Sequence, residues 1–498
     1  MIDVNSVSFT YPSSAAGSPS DLVLDDCSLY LNVGNSLAVM GASGAGKSTL
    51  CSVLAGLAPR HTGGTIEGSV SIAGRDVLTS PPEAGTVGLL FQDAATQLFT
   101  TSVEDEIAWG LEALGLDAGE ITRRVDQALE RFGMADVRAR APWALSGGQQ
   151  KRLALAALWA MRPRVLVLDE PLGGLDPQGR REVLTTVESL RQAGTTLVTM
   201  TLHTEMARRA QHVALLAEGR LTHPEAPASA FGDTGPLYTS HLTDLGVIAP
   251  TELWPDLNPS IPPDSARPAI EVAGLQYGYP GDEVVLHNID LTVPAGQFLA
   301  IVGANGAGKS TLVRHLNGLL RPRRGQVRIQ GQPISDRPTG ALAREVGFLF
   351  QRPEQQLFAP TVQEEIAFGL TKLNLPDRVG RLDRAIARFD LKEVTNTPPA
   401  TLSYGAQRAV TLACLAAIHP PIVILDEPTV GLDGRGLTQL LTWLTELRAA
   451  GTTIVVITHQ HDLAARADRA VRLDRGTIVA DGVPVAVLTQ DGPRQGTA

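Results

Sequence analysis

Short runs of consecutive apolar residues alternate along the chain with longer segments rich in alanine and leucine. The short runs contain many β-branched residues and end in glycine or acidic residues, as in SLAVM, VLVLDE and TTLVTM in the first half and FLAIV, IVILDE and TTIVVIT in the second. Apolar runs of this length are typical of strands buried on both faces, and the longer segments are typical of helices. The alternation predicts an α/β fold with a mostly parallel sheet and a ligand site at the carboxyl ends of its strands.

The chain contains the same set of motifs twice, in the same order. The paired segments are GASGAGKSTL at 41–50 and GANGAGKSTL at 303–312, FQDAATQLF at 91–99 and FQRPEQQLF at 350–358, and VLVLDEP at 165–171 and IVILDEP at 422–428. Because the order is kept, the sequence indicates a tandem duplication of one domain.

A proline-rich stretch separates the two copies. Residues 251–268 hold five prolines and almost no periodic apolar pattern, which is typical of a semi-rigid linker. We therefore predict a first domain over 1–245, a linker over 246–267 and a second domain over 268–498. SSAAGSPS at 13–20 has no counterpart in the second copy and is predicted to be a surface loop.

Composition excludes several classes of protein. The 498 residues include 42 Lys plus Arg and 52 Asp plus Glu, and this acidic balance argues against binding that depends on covering nucleic-acid phosphates with positive charge. The three cysteines are far apart in sequence, which indicates neither a disulfide framework nor a zinc site, so a reducing cytosol is expected. The N-terminus lacks the pattern of a signal peptide, and no apolar run approaches the ~18 to 20 residues that span a bilayer.

The first motif of each copy, GxxxxGK[ST], is typical of a phosphate loop, whose backbone N–H groups wrap the phosphates of a nucleotide at a helix N-terminus. The predicted nucleotide-binding residues are Gly41, Gly44, Gly46, Lys47, Ser48 and Thr49 in the first copy and Gly303, Gly306, Gly308, Lys309, Ser310 and Thr311 in the second. The lysines would reach the β- and γ-phosphates, and Ser48 and Ser310 would ligate Mg²⁺. ATP and Mg²⁺ are therefore the expected cofactors.

Lysine is scarce in this chain, which has only five, so a lysine inside a motif is more informative than usual. The other three, Lys151, Lys372 and Lys392, are interpreted as surface charges.

An Asp-Glu pair follows an apolar strand in each copy. Asp169 and Asp426 would stand at a strand end, where a carboxylate can hold Mg²⁺, usually through water. Glu170 and Glu427 follow directly and are positioned to polarise the attacking water.

LSGGQ at 145–149 resembles the signature of ABC ATPases, and the resemblance covers nearly the whole chain. It implies two P-loop NTPase domains, each a mostly parallel sheet core with an antiparallel β subdomain and an α-helical subdomain. It also implies an intramolecular head-to-tail dimer, in which each ATP is held by the phosphate loop of one copy and the signature of the other. The signature residues are Ser146, Gly147, Gly148 and Gln149 in the first copy and Ser403 and Gly405 in the second.

The resemblance assigns roles to further residues. Tyr11 and Tyr279 match the aromatic residue that stacks on adenine, although their neighbours Phe9 and Tyr277 compete for that role. The list is completed by Gln92 and Gln351, which match the glutamine that senses Mg²⁺ and the transport partner, by Asp176 and Asp433, which match the loop joining the two sites, and by His459, which matches the switch histidine that senses the γ-phosphate.

The segments DAATQLFTTSVEDEIAWG and RPEQQLFAPTVQEEIAFG resemble a pattern of energy-coupling-factor (ECF) importers and cobalt/nickel importers. The first copy departs from it, because Ala95 stands where the second copy has Glu354 or a close neighbour. In such proteins this stretch borders the groove where the coupling helix of a membrane subunit docks. The alternative interpretation is a purely structural helix.

The two copies differ at their signatures and at the switch position. Between Ser146 and Gly219 they align at a constant offset of 257, so the second signature, LSYGA at 402–406, replaces Gly147, Gln149 and Arg152 by Tyr404, Ala406 and Ala409. Losing the glutamine and arginine suggests weaker contact with a nucleotide across the interface. The residue equivalent to His459 is Leu202; either the first copy lacks the switch, or His203 serves after a local rearrangement.

Both departures fall in the site built on Lys47, so we expect the site built on Lys309 to hydrolyse ATP and the other mainly to bind it. The resemblance implies the fused ATPase subunit of an ECF-type importer of a vitamin, metal ion or other small solute. Its partners would be an integral-membrane coupling subunit and a substrate-binding membrane subunit, and it would lie at the cytoplasmic face of the membrane. The alternatives are the fused ATPase of a sugar importer and a soluble ATPase acting on ribosomes or DNA.

Overall fold

The computed structural model describes residues 1–12, 22–248, 254–255, 257, 267–279 and 284–489. The chain divides into two compact units, Met1–Ile248 and Ala249–Ala498. The predicted surface loop at 13–20 and most of the predicted linker lie outside the described residues. Within the linker, Trp254 and Leu257 are buried in a core cluster of the second unit, and the Arg466 guanidinium lies 5.2 Å from the centre of the Trp254 ring.

Two sheets form the first unit. The antiparallel sheet has the order β2-β1-β4-β5, and the mostly parallel sheet has the order β10-β9-β3-β8-β7-β6, in which only β10 runs antiparallel to its neighbour. The strands are β1 Ile2–Thr10, β2 Leu22–Leu31, β3 Ser36–Met40, β4 Thr65–Ile72, β5 Arg75–Asp76, β6 Val87–Leu90, β7 Val165–Asp169, β8 Thr196–Met200, β9 His212–Ala217 and β10 Arg220–Leu221.

The helices of the first unit include a helical layer, in which α2, α3 and α4 pack on one another. The helices are α1 Lys47–Leu54, α2 Val103–Ala113, α3 Ala118–Arg131, α4 Gly147–Ala160, α5 Pro177–Gln192, α6 Thr204–Arg209, α7 Pro227–Ala230 and α8 Thr239–Asp244. Short 3₁₀ helices lie at Ala94–Gln97, Ala135–Val137 and Pro142–Ala144.

The second unit repeats this plan. Its antiparallel sheet has the order β12-β11-β14-β15, and its mostly parallel sheet has the order β16-β17-β18-β13-β19-β20. The strands are β11 Pro268–Gly278, β12 Val284–Pro294, β13 Phe298–Val302, β14 Arg324–Ile329, β15 Gln332–Pro333, β16 Val346–Leu349, β17 Ile422–Asp426, β18 Thr453–Ile457, β19 Arg469–Asp474 and β20 Thr477–Gly482.

The helical layer of the second unit consists of α11, α12 and α13. The helices are α9 Lys309–Leu316, α10 Thr339–Leu342, α11 Val362–Lys372, α12 Arg378–Arg388, α13 Tyr404–Ile418, α14 Gly434–Ala449, α15 His461–Ala464 and α16 Pro484–Leu488. Short 3₁₀ helices lie at Pro353–Gln355, Lys392–Val394 and Pro399–Thr401. Among the described residues, no helix is long and apolar enough to span a membrane.

The strands that read as continuous apolar runs are central. Every residue of β3, β7 and β8 is buried, as is every residue of β13, β17 and β18, because helices cover one face of each sheet and the antiparallel sheet packs over the other. In the first unit β8 lies between β3 and β7, so the segments that follow these three strands meet at one sheet edge. The predicted fold class is confirmed.

Candidate functional site

The phosphate loops, residues 41–48 and 303–310, connect β3 to α1 and β13 to α9. A Cβ atom on Gly41 would lie 2.3 Å from the carbonyl oxygen of Leu216, and one on Gly303 would lie 2.1 Å from that of Leu473, so only glycine fits at either position. Gly46 and Gly308 stand before the helices with φ of 99° and 98°, in the left-handed region. These glycines turn the chain so that the N–H groups of the helix N-terminus face the loop.

The lysine of each loop folds back over it. Lys47 Nζ donates to the carbonyl oxygens of Gly41 and Ala42 at 2.8 and 3.0 Å. Lys309 Nζ makes the equivalent bonds to Gly303 and Ala304, at 2.7 and 2.9 Å. Both lysines are buried, so each holds a positive charge at the centre of its loop, where phosphates would bind.

A serine and an aspartate meet beside each lysine. Ser48 lies beside the Asp169 carboxylate and Ser310 beside that of Asp426; burial raises the pKa of both aspartates, and the nearby serine hydroxyls partly oppose the rise. Among the described residues, Asp169 Oδ1 is buried without a hydrogen-bond partner. A hydroxyl beside a carboxylate oxygen that lacks a donor suits a hard divalent cation, so these residues fit Mg²⁺.

Glu170 and Glu427 adopt the left-handed conformation, with φ of 45° and 48°. Non-glycine residues rarely adopt it, and its presence in both units indicates a position under functional constraint. Burial raises the pKa of Glu170 to about 7, which the nearby Lys47 opposes. A carboxylate poised near neutral pH suits a general base.

The switch positions differ chemically although their backbones agree. The backbone N–H of Leu202 donates to Glu170 Oε2 at 3.1 Å, as that of His459 does to Glu427 Oε2 at 3.3 Å. The His459 imidazole additionally lies 3.3 Å from Glu427 Oε1 and 3.0 Å from the side-chain oxygen of Asn305. Leu202 has an apolar side chain, so its contact with the Glu170 carboxylate is through its backbone N–H alone.

His203 is the next residue along the chain and is the N-cap of α6. Burial, together with the positive charges of Arg180 and Lys151, lowers the pKa of His203 to about 3. Lys151 belongs to the signature helix α4 and Arg180 to α5, and the residue equivalent to His203 in the second unit is Gln460.

Lys151 is buried, with 5% of its surface exposed, so its interpretation as a surface charge is wrong. Its Nζ donates to the carbonyl oxygens of Glu170 and Gly173 at 2.9 and 2.8 Å, and burial lowers the pKa of the ammonium to about 8. Sequence alone missed this role because the partners lie 19 and 22 residues away. Lys372 and Lys392 are exposed, as predicted.

The predicted adenine-stacking tyrosines occupy equivalent places. Tyr11 Oη lies 3.2 Å from Thr49 Oγ1, and Tyr279 Oη lies 3.3 Å from Thr311 Oγ1. Phe9 and Tyr277 pack edge-on against them from the preceding strand, and Phe9 is fully buried.

The first signature opens α4 with a capping box. Gln149 N–H donates to Ser146 Oγ at 3.3 Å, and Ser146 N–H donates to Gln149 Oε1 at 3.0 Å. In the second signature Ser403 accepts from Ala406 N–H, but alanine cannot return the bond. Arg152, which Ala409 replaces, pairs with Glu182 of α5 at 2.9 Å. Both lost side chains therefore have partners within their own unit.

Asp176 and Asp433 lie at the N-termini of α5 and α14, the helices that follow the catalytic strands β7 and β17. Each accepts a hydrogen bond at Oδ1, from Gly179 N–H at 2.7 Å and from Gly436 N–H at 2.9 Å. They thus serve as helix N-caps where the chain leaves the site.

The glutamine loops, residues 91–97 and 350–356, are held by residues that the sequence argument did not assign. Gln97 Oε1 accepts from Phe91 N–H at 2.9 Å, and Gln356 Oε1 accepts from Phe350 N–H at 3.4 Å. Gln92 and Gln351 follow Phe91 and Phe350 directly, so these hydrogen bonds restrain the backbone next to each glutamine. The repetition of QLF in both copies was the available signal.

A buried carboxylate fixes the turn after each glutamine loop. Glu106 Oε2 accepts from the backbone N–H groups of Phe99 and Thr100 at 3.0 and 2.9 Å. Glu365 Oε2 accepts equivalently from Phe358 and Ala359 at 2.8 and 2.7 Å. This glutamate of the EIA motif was also unassigned in sequence, although both copies keep it.

The chain is similar to known proteins along most of its length. Residues 24–173 and 286–430 match the family model described as ABC transporter. A putative ABC transporter ATP-binding protein of Methanosarcina acetivorans is 35% identical over 97% of this chain and 90% of its own length. One of Methanosarcina mazei is 34% identical over 97% of this chain and 95% of its own length. Among solved structures, cbiO1 from Clostridium perfringens, part of the ABC transporter complex cbiONQ, is 30% identical and covers 45% of this chain and 92% of its own, with a TM-score of 0.41.

The family match extends over more than half of the chain and includes the phosphate loop and the catalytic strand of each unit. The chain therefore belongs to the ABC transporter family, as a protein with two ABC ATPase domains that bind and hydrolyse ATP.

Proposed function

We propose that this chain is the ATPase subunit that energises an ECF-type importer of a vitamin, metal ion or other small solute, bound peripherally at the cytoplasmic face of the membrane. The observation that carries the proposal is the QLF…EIA segment, which recurs in both units and whose two ends carry an exposed aromatic pair. ABC ATPase subunits act on membrane partners, and this segment is where the two units offer matching surfaces.

The aromatic pairs are built alike. Phe99 and Trp109 pack edge-on at 4.8 Å, and Phe358 and Phe368 at 4.7 Å. Phe99 is 60% exposed and Phe358 65%, although large aromatic side chains are usually buried. The buried Glu106 and Glu365 hold the backbone beneath them, so the rings stand on a rigid base. Rigid exposed aromatic residues suit a docking surface for an amphipathic helix.

In the second unit the constellation around Glu427 supplies what ATP hydrolysis needs. Lys309 and the loop N–H groups bind phosphates, and Glu427 accepts a proton from the attacking water. His459, next to Glu427 Oε1, is placed to detect the γ-phosphate. Ser310, Asp426 and Gln351 would hold Mg²⁺, which neutralises charge on the phosphate oxygens.

The two sites are unequal in this proposal. The site of Lys309 hydrolyses ATP, whereas the site of Lys47, which has Leu202 at the switch, mainly binds it. Each site would be completed by the signature of the opposite unit in a head-to-tail arrangement. The N-terminus of α4 begins with the exposed Gly147, which has no side chain to block a phosphate, so it suits contact with one.

Membrane co-purification tests the function. The tagged chain should be isolated with two integral-membrane proteins, and Phe358→Ser together with Phe99→Ser should reduce their recovery at least about tenfold because each lost aromatic anchor costs ~1 to 2 kcal/mol. Val379→Ser, at another exposed apolar position of the second unit, is the matched control. Sedimentation with ribosomes and no membrane partner would contradict the proposal.

A further inference from the structure

The second signature carries a tyrosine that bonds to the glutamine loop of its own unit. Tyr404 Oη donates to the carbonyl oxygen of Gln351 at 3.1 Å. One turn later on α13, Arg408 donates to the carbonyl oxygens of Phe350 and Gln351. Two side chains of one helix therefore hold the backbone on which Gln351 stands.

These two side chains also hold each other. Arg408 Nη2 donates to Tyr404 Oη at 3.2 Å, and the guanidinium lies 5.7 Å from the centre of the tyrosine ring. Arg408 is fully buried, with 0% of its surface exposed. A buried guanidinium that donates to backbone carbonyls is held in one geometry, because losing these bonds would leave its charge without compensation.

The Tyr404 ring packs against a glycine of its own unit. Gly431, between Glu427 and Asp433, has φ of 78°, and a Cβ atom there would lie 2.2 Å from the Tyr404 ring. The ring therefore packs directly on the backbone of the loop after the catalytic strand. Tyr404 touches the glutamine loop and the catalytic loop of the same unit together.

The first unit is built differently at the equivalent positions. Gly147 stands in place of Tyr404, and a Cβ atom on it would meet no atom within 4 Å. Lys151 stands in place of Arg408 and donates to Glu170 and Gly173 instead. The side-chain hydrogen bonds from this position of the signature helix thus go to the catalytic loop in the first unit and to the glutamine loop in the second.

We propose that Tyr404 and Arg408 are positioning residues that fix the backbone of Gln351 for Mg²⁺ binding in the nucleotide site of their own unit. The altered second signature has thereby taken on a role within its own domain. This inference rests on the proposed function of Gln351 as a Mg²⁺ ligand.

The first measurement needs neither nucleotide nor metal. Hydrogen–deuterium exchange of the full chain should show the amides of 350–356 exchanging about three- to tenfold faster in Tyr404→Phe, because one hydrogen bond that restrains the loop is lost while the ring stays on Gly431. The amides of 91–97 are the internal reference and should not change. Tyr238→Phe, which removes a hydroxyl in the first unit, is the control variant.

The second measurement is the Mg²⁺ concentration that gives half-maximal ATPase activity at saturating ATP. Tyr404→Phe should raise it about three- to tenfold while kcat at saturating Mg²⁺ changes much less, because the metal restores the loop position when it binds. Arg408→Lys should act in the same direction. Adding Tyr404→Phe to Gln351→Ala should cause no further rise, since the tyrosine acts through Gln351.

The outcomes separate the inference from its premise. Wild-type exchange over 350–356 and a wild-type Mg²⁺ requirement in Tyr404→Phe overturn the inference. An unchanged Mg²⁺ requirement in Gln351→Ala overturns the premise that Gln351 binds the metal. The inference that Tyr404 and Arg408 position Gln351 for Mg²⁺ binding is then overturned as well. The inference is also overturned if adding Tyr404→Phe to Gln351→Ala raises the Mg²⁺ requirement further, because the tyrosine would then not act through Gln351.

Discussion

His459 Nε2 lies 3.3 Å from Glu427 Oε1, whereas the residue at the equivalent place beside Glu170 is Leu202. The backbone bond to the glutamate is the same in both units, so the difference is confined to the side chain. An imidazole beside a carboxylate can orient it and respond to a phosphate, and a leucine can do neither. We therefore expect substitutions at the two sites to have unequal effects on ATP hydrolysis.

Replacing Glu427 by Gln should nearly abolish steady-state phosphate release, by about 100-fold or more, because it removes the proposed general base of the site that we propose to hydrolyse ATP. Glu170→Gln should leave much of the activity. The two variants match in chemistry and in backbone position, so each is the control for the other. Equal losses would contradict the inequality of the sites.

His459→Ala should lower kcat about 100-fold, since its ring faces Glu427. His203→Ala should leave kcat within about twofold because Leu202, not His203, is the residue whose backbone N–H contacts the Glu170 carboxylate. ATPase assays of both variants at saturating ATP decide the matter. A loss in His203→Ala as large as in His459→Ala would show that His203 serves as the switch.

The free energy of unfolding should depend on pH through Glu170. Its folded pKa of about 7 exceeds the unfolded value, so its stabilising contribution is full below pH ~4.5 and is lost as the pH rises through 7. In the nucleotide-free protein, the urea midpoint of the wild type should therefore fall relative to Glu170→Gln between pH 5 and pH 8. Parallel pH profiles for the two proteins would refute this assignment.

Glu365→Ala should lower the free energy of unfolding of the second unit by about 2 to 3 kcal/mol, because it leaves the N–H groups of Phe358 and Ala359 without their charged acceptor. Glu364→Ala, one residue earlier on the exposed face of α11, should change it by less than about 0.5 kcal/mol. Urea unfolding followed by tryptophan fluorescence compares them. Similar losses in both would mean that the buried carboxylate does not stabilise the turn.

The sequence predicted those parts of the fold and the site that depend on neighbouring residues. The apolar runs marked the buried strands, and the glycines of 41–48 and 303–310 marked the turns, because their backbone conformation permits little else. Asp169 could be placed because it ends a strand whose length is visible in the sequence, and Glu170 because it follows directly. Because the motifs recur in the same order in both halves, the same order of elements could be predicted for each half.

The remaining parts depended on contacts between distant segments. Lys151 resembled any exposed lysine until its carbonyl partners in the catalytic loop were known. Arg152 was interpreted through the nucleotide, whereas its partner is Glu182 on the next helix. Tyr404 looked like the loss of a glycine, although its ring and hydroxyl have specific partners. Residue type alone does not reveal such partners.

Trp254 belongs to the core of the second unit although the proline-rich pattern around it predicts a linker. The point where the chain can be divided into two separately expressed polypeptides is therefore not the middle of that pattern. A break after residue 248 keeps this indole with the half whose interior it fills. A break after Trp254 would deprive the C-terminal half of a large apolar side chain and leave it prone to aggregation.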